Sequence, residues 1–289
     1  MSTFDIESLL SEVSPEAPCG EDISGSGEFY ELKALVRPKP PGVVGTDADA
    51  AMIEPNCAEV RNRAFDLLRK SRHLEVATYL TLGLLVTEGM SGFRNGLHLI
   101  QGLLERFWDE LYPRLDPEDD NDPTIRMNIL MPLSSEPASP WDPVRFRPRV
   151  AQLPLCNSRR AGGFCLRDIQ IARGEKTAPS GEREAPAMPV IQAPFRETPA
   201  AELEATLLGA HQAVEYLDGI RSVFEKRTKD HSSPEFGGLR GDLVRICRTL
   251  EEYVKTDSAA NPATPGDATV GPAAGREPIP VVAGEIRSR

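Results

Sequence analysis

The sequence predicts an all-α protein, with a multi-helix N-terminal domain followed by a helical hairpin and a disordered C-terminal linker. Three observations carry the prediction. Apolar residues recur at steps of three and four through most of the chain up to Tyr253. Proline, glycine and side chains suited to capping interrupt these runs at lengths typical of helices. From Thr256 to Ala283 the composition collapses to Ala, Pro, Gly, Thr and Asp, and no helical face survives.

The first helix is expected over Asp5–Val13, with Ile6, Leu9, Leu10 and Val13 on one face, and is broken by the segment Ser14 to Asp22. A short helix is expected over Glu28–Val36. Arg37–Pro55 carries Pro38, Pro40, Pro41, Gly42 and Gly45 and reads as a loop. The densest helical signal lies between Asn56 and Ser135. Asn56 with Glu59 forms a start like a capping box, and Val60, Ala64, Leu67 and Leu68 share a face. His73–Glu88 is apolar almost all round, the pattern of a central buried helix. Gly89 to Gly92 reads as a turn. The next helix, Phe93–Leu111, aligns Leu97, Ile100, Leu104, Phe107 and Trp108 and stops at Tyr112-Pro113. An acidic connection, Asp116–Asp122, leads to Pro123 at a first helical position, after which Ile125, Ile129, Leu130 and Leu133 form a face.

Trp141–Arg149 is punctuated by proline and reads as irregular, and Gly162–Leu166 as a turn with a short extended segment. Arg173–Pro199, rich in Pro, Glu and Ala, reads as a linker or exposed loop. Thr198 then caps a helix with Pro199 at its first position, and Leu203, Leu207, Ala210, Val214, Leu217, Ile220 and Phe224 repeat along it. Ser232 to Glu235 reads as a capping box opening a last helix with Leu239, Leu243, Ile246, Leu250 and Tyr253 inward. The two should pack as an antiparallel hairpin. Their narrow stripe is the expected hairpin core; it would also serve as a self-association seam. The domains are thus expected at 1–172, 173–197 (linker), 198–255 (hairpin) and 256–289 (linker leading to an absent C-terminal domain).

Composition narrows the function. The chain has 289 residues, 40% hydrophobic and only 6% aromatic, so its core should be Leu, Val, Ile and Ala. A net charge of −11, with no cluster of Lys or Arg interleaved with aromatics, argues against nucleic acid and against an anionic membrane surface. The N-terminus lacks the basic and apolar regions of a signal peptide. The longest apolar stretch, Tyr79–Val86, is too short to span a bilayer. Five irregularly spaced cysteines do not form a disulfide framework, and a cytoplasmic protein with reduced thiols is expected.

No catalytic, cofactor or metal site is expected. Asp116, Glu118, Asp120 and Asp122 alternate like the start of a calcium loop, but Asn121 and Met127 stand where glycine and glutamate are required. Cys156 and Cys165 are too far apart for a zinc knuckle, and His73 and His211 lack partner residues in a recognisable pattern. The Gly162-Gly163 and Gly237-Gly238 pairs are not phosphate loops. Arg159-Arg160 is a small basic spot suited to an acidic partner or simply to solvent. Trp108 reads as core. Trp141, in its proline-rich setting, is a helix wedge or an anchor for a partner.

Several segments in order carry a family likeness. They are Ser14-Pro15, Pro18-Cys19-Gly20-Glu21-Asp22 with Phe29, Leu67-Leu68, Ser71-Arg72 and Leu74–Leu85. Gly89, Gly92, Gly96-Leu97, Trp108-Asp109, Leu111-Tyr112-Pro113, Arg126-Met127-Asn128 and Gly163-Phe164 with Leu166-Arg167-Asp168 follow. Together they resemble the ImpA N-terminal family of type VI secretion proteins over roughly Phe4–Ile171. The residues Gly284, Ile286 and Ser288-Arg289 resemble the opening of the family's C-terminal, ring-building domain. The chain departs from the family at Cys57, His73 and Gly92-Phe93, departures read as touching surface detail and not the fold.

The resemblance implies a cytoplasmic, non-enzymatic docking component. Its partners would be baseplate, tail tube and sheath proteins, with homo-oligomers among the options and the hairpin as the expected self-contact. Pro18, Gly20, Glu21, Asp22, Gly92, Gly96, Leu97, Trp108, Pro113 and Arg126 are then the motif residues with structural or docking roles. A helical peptide-binding adaptor unrelated to secretion, and an enzyme with an unrecognised site, are the competing readings.

Overall fold

The computed structural model describes residues 5–38, 54–136, 142–160, 162–177 and 187–260, the last six of these as backbone only. Ten α-helices lie among them: α1 (Ile6–Leu9), α2 (Gly27–Val36), α3 (Cys57–Lys70), α4 (Leu74–Phe107), α5 (Thr124–Leu130), α6 (Phe146–Ala151), α7 (Leu166–Ala172), α8 (Met188–Glu197), α9 (Ala200–Arg227) and α10 (Gly237–Ala260). The all-α expectation holds, and only two short 3-10 turns and isolated backbone bridges supplement the α-helices among the described residues.

The centre is α4, which is two helices joined at a corner. Gly89 sits at φ 66°, ψ −140°, a backbone conformation open to glycine and strained for other residues. It lets the arm over 74–88 fold back against the arm over 90–107. The expected turn at Gly89 is therefore real, but it is one residue wide. The two arms touch through glycines: a Cβ on Gly96 would lie 2.5 Å from the Thr81 side chain, and one on Gly92 2.3 Å from the Leu84 carbonyl oxygen. Small residues on the shared face bring the helix axes together where larger side chains would hold them apart. Gly83 does the same toward α3, since its added Cβ would lie 2.7 Å from the Arg61 Cα.

Around this hairpin the other long helices line up. Contacts of Gly209 with Met90 and of Gly219 with Gln101 run α9 parallel to the second arm of α4. The bond from Arg94 Nη1 to Gln212 Oε1 (3.1 Å) keeps that register. α10 returns antiparallel, with Arg240 on Asp218 (2.8 Å) and His211 facing Glu251 (3.4 Å). α2 lies along α3, joined by the ion pairs Arg63–Glu31 and Lys70–Glu28, both 2.8 Å. One apolar core runs from Ile6 through Leu250. Burial of that much Leu, Ile and Val surface is the main stabilising contribution.

Several expectations are corrected. α1 is only Ile6–Leu9, capped by Asp5, because the chain turns at Leu10 to lay its side chain against Gly102. The 173–197 linker does not hold over its second half. α8 occupies Met188–Glu197, buries Ile191 and Phe195, and stacks Phe195 on Tyr253 of α10 at 4.3 Å. Its prolines misled the reading: Pro189 falls in the first turn, where no N–H is needed, and Pro194 is buried inside. The Trp141–Arg149 stretch is not wholly irregular, since α6 starts at Phe146 and buries Phe146 and Val150.

The hairpin helices also start differently than expected. Pro199, not Thr198, is the N-cap of α9, and Thr198 instead donates to the Pro194 carbonyl (2.8 Å) and accepts from Asn157 N (2.8 Å). α10 begins at Gly237, beyond the expected capping box at 232–235, and continues through Ala260, past the expected end at Lys255. A Cβ on Gly238 would strike the Arg147 guanidinium at 2.5 Å, so this glycine makes room for the ion pair of Arg147 with Asp242 (3.2 Å). The stripe considered as a self-association seam is occupied within the chain, where Ala210, Leu217, Ile220 and Phe224 are buried alongside α4 and α10. The first five residues of the expected linker, 256–260, are helical, and the rest of it with its closing motif, 261–289, lies outside the described residues, as does Trp141.

Replacing Gly96 by Leu should destabilise the protein by about 1–3 kcal/mol in urea unfolding, because the arms of α4 cannot separate without opening the core. Gly25→Ala, at a glycine with nothing within 4 Å of an added Cβ, should change stability by less than about 0.5 kcal/mol. Equal effects at both positions would show that close approach at Gly96 is not what the fold requires.

Candidate functional site

The motif segments converge at one end of the bundle. Three stretches of chain distant in sequence, 18–22, 71–74 and 111–113, bond to one another through their backbones. Gly20 bridges Ser71, and His73 bridges Tyr112. Arg72 N donates to the Cys19 carbonyl (2.8 Å), Tyr112 N to the Arg72 carbonyl (3.0 Å) and Leu74 N to the Tyr112 carbonyl (2.8 Å). The Tyr112 hydroxyl donates to the Gly20 carbonyl at 3.2 Å. Gly20 is required twice over: its φ is +72°, and a Cβ there would lie 2.0 Å from the Lys70 carbonyl oxygen.

Two buried arginines hold this junction. Arg126, on α5, is fully buried. Its guanidinium donates to the Trp108 carbonyl (2.7 Å), the Leu111 carbonyl (2.6 Å) and the Pro113 carbonyl (3.0 and 3.2 Å). These carbonyls follow the C-terminus of α4, where the helix leaves acceptors without intrahelical donors and carries partial negative charge. The cation also lies over the Trp108 ring, 5.1 Å from its centroid. Burial pushes the guanidinium down to about 10, which leaves it charged at neutral pH.

Arg72 plays the matching part at the end of α3. It donates to the carbonyls of Ser11 (2.7 and 3.0 Å), Ser8 (3.3 Å) and Leu68. Arginine suits both places because its planar fork carries five donors, enough to satisfy several carbonyls at once.

His73 closes the junction and caps α4. Its Nδ1 accepts from Glu75 N (3.2 Å), so the ring proton resides on Nε2 and is directed to Ser24 Oγ (3.2 Å). Phe29 packs on the ring at 4.8 Å. Burial holds this imidazole down at about 4, against the opposing pull of Glu75 and Asp22.

The other motif residues are accounted for by position. Trp108 is buried edge-on against Phe224 of α9 at 5.2 Å. Gly92 and Gly96 are buried between the arms of α4, and Leu97 is fully buried in the core. Pro18 accepts from Val13 N at 2.8 Å, and Pro113 follows Tyr112 through a cis peptide bond. Glu21 and Asp22 point to solvent, Asp22 accepting from Ser24 N at 2.9 Å. Sequence reasoning placed His73 at the start of a buried helix but foresaw neither its capping bond to Glu75 N nor the carbonyls that Arg72 satisfies. The departures at Cys57, His73 and Phe93 are core positions, not surface detail; Phe93 packs on Phe146 at 5.8 Å.

The acidic connection is spread out, not convergent. Asp116 accepts from Glu118 N (2.8 Å), Asp122 from Thr124 N (2.9 Å), and Asp120 pairs with Lys229. Among the described residues no three His, Cys, Asp or Glu side chains are grouped to hold a metal ion, and all five cysteines are buried and free. No helix among them is long and apolar enough to cross a membrane.

Fold and junction together define a helical scaffold whose strongest polar groups serve its own backbone, and the comparisons place that scaffold in type VI secretion. A family model described as ImpA, N-terminal, type VI secretion system, matches residues 10–135. The chain is 31% identical over 293 aligned residues to the "Type VI secretion system component TssA1" of Pseudomonas aeruginosa, covering 99% of this chain and 82% of that relative. It also resembles a solved N-terminal domain that includes the conserved ImpA_N region of the TssA component from Burkholderia cenocepacia. The TM-score is 0.68 at 23% identity, covering 89% of this chain and 96% of that one. The chain belongs to the ImpA/TssA family of type VI secretion system components.

Arg126→Met should cost about 2–4 kcal/mol, because it leaves three buried carbonyls unsatisfied, and Arg126→Lys should recover less than half of the loss, since one ammonium cannot span them. Full rescue by lysine in denaturant unfolding would overturn the multi-carbonyl clamp. His73 sets a pH dependence. Its folded value of about 4 lies below the ordinary value of 6.5, so the unfolded chain binds the proton more readily, and stability falls as pH drops from about 6.5 toward 4. The contribution approaches roughly 3 kcal/mol at the acid end. In His73→Asn, which keeps a capping acceptor, the melting temperature should decline less between pH 7 and pH 4.5 than in the parent.

Proposed function

We propose that this chain is a non-enzymatic docking component of a cytoplasmic type VI secretion assembly. It assists the joining of baseplate, tail tube and sheath through protein–protein contacts. The observation that carries this reading is the 31% identity to a TssA1 component, sustained over nearly the whole chain. The chemistry of the junction supports it. Arg72, Arg126 and His73, the groups with perturbed surroundings, are each engaged by backbone carbonyls, a backbone N–H or a neighbouring hydroxyl, an arrangement that builds rigidity. A rigid body lowers the ordering cost of forming an interface. Within the motif, Glu21 and Asp22 are the side chains that reach solvent and so the ones available to a partner.

The test is a pull-down of the full chain against separately expressed baseplate, tube and sheath proteins of the same organism, repeated with Lys255–Arg289 removed. Capture of at least one component, well above a bead control and retained by the shortened chain, is the expected result. Capture of none by either form would overturn the docking role for this chain.

A further inference from the structure

The segment 142–177 reverses the charge of the chain. It carries eight arginines and lysines against three acidic residues, in a protein of net charge −11. Four of its cations are used internally: Arg145 and Arg149 pair with Glu54, Arg147 with Asp242 and Glu136, and Arg173 with Glu252. Arg159 and Arg160 differ. Both are exposed, and among the described residues neither has a carboxylate partner.

The described residues on either side of them are bonded to one another and to the bundle. Ser158 N donates to the Gly162 carbonyl (3.0 Å) and Gly162 N to the Ser158 carbonyl (2.9 Å), with Gly162 at φ +74°. Further out, Leu155 N donates to the Phe164 carbonyl at 2.8 Å. The turn is fastened to the corner between α8 and α9 by Ser158 Oγ on Glu197 (2.5 Å) and by Asn157 N on Thr198 Oγ1 (2.8 Å). Arg160 N in turn donates to Ser158 Oγ at 3.2 Å. Glu197 is thereby held by the serine and not by either arginine.

We propose that the Arg159–Arg160 turn is a docking point for an acidic protein segment, one with neighbouring Asp or Glu side chains. This deepens the docking reading above and rests on it. Adjacent guanidinium forks next to the anchored Ser158 can each take a carboxylate in bidentate fashion, at little ordering cost. The net negative field of the rest of the chain disfavours long polyanions such as nucleic acid, whose affinity needs many neutralised phosphates. Recognition at this turn is therefore short-ranged and selects a local pair of carboxylates.

The experiment is fluorescence anisotropy of a labelled ten-residue Asp/Glu-rich peptide titrated with the full chain. A Lys-rich peptide and a ten-nucleotide single strand serve as comparison probes. The acidic peptide should bind, and the affinity should fall at least tenfold in R159E/R160E and on raising salt from 50 to 300 mM. It should change less than twofold in R69E, which makes the same kind of charge change at an exposed arginine on α3. Circular dichroism melts check that each variant is folded. No binding of the acidic peptide, equal loss in R69E, or tighter binding of the oligonucleotide would overturn the assignment. Should the pull-down succeed while R159E/R160E captures as much as the parent chain, docking stands and this turn is not its site.

Discussion

The motif end of this bundle depends on how the turn that follows α4 is satisfied. A chain that leaves a helix inside a protein carries carbonyl oxygens where water cannot reach them, and each needs a donor. This chain answers with a single cation. Arg126 binds the carbonyls of Trp108, Leu111 and Pro113 and rests on the Trp108 ring. Because those carbonyls belong to the turn that feeds Tyr112 into the backbone bridges, the same side chain fixes where 111–113 lies. It thereby fixes the partner for 71–74, which in turn binds 19–20. Arg72 repeats the device one layer away, on carbonyls of the α1 region and α3.

The rest of the structure is close packing around a reversal. Gly89 turns α4 back on itself, and Gly83, Gly92 and Gly96 let three antiparallel helices approach without side chains between them. α9 then lies parallel to the second arm, with Trp108 against Phe224 at one end and Gly209 against Met90 at the other. The hairpin of α9 and α10 is consequently part of the same core, and α8, through Phe195 on Tyr253, seals its far side.

This division of labour bears on function. The most ordered polar groups hold the scaffold together, while exposed charge is left at the periphery: Glu21 and Asp22 beside the junction, Arg159 and Arg160 on the tip of a bonded turn. A rigid interior with charged outer points supports the docking role proposed above.

By itself, the sequence determined the helix class, the long helices and the inward faces of α3, α4, α9 and α10, because spacing of apolar residues along 3.6 residues per turn is a local property. It also carried the family likeness, since order and spacing of short motifs survive in one dimension. Tertiary structure decided the rest. Arg126 and His73 show no partners until the carbonyls and hydroxyl that receive them are brought from distant segments. Pro189 and Pro194 look like linker signals until Ile191 and Phe195 find α10 to pack on. The stripe on α9 could have faced another copy of the chain, and only the glycine-lined approach of α4 settled that it faces inward. Which partner fills a face is a nonlocal quantity, decided by which elements can approach closely enough to exclude water.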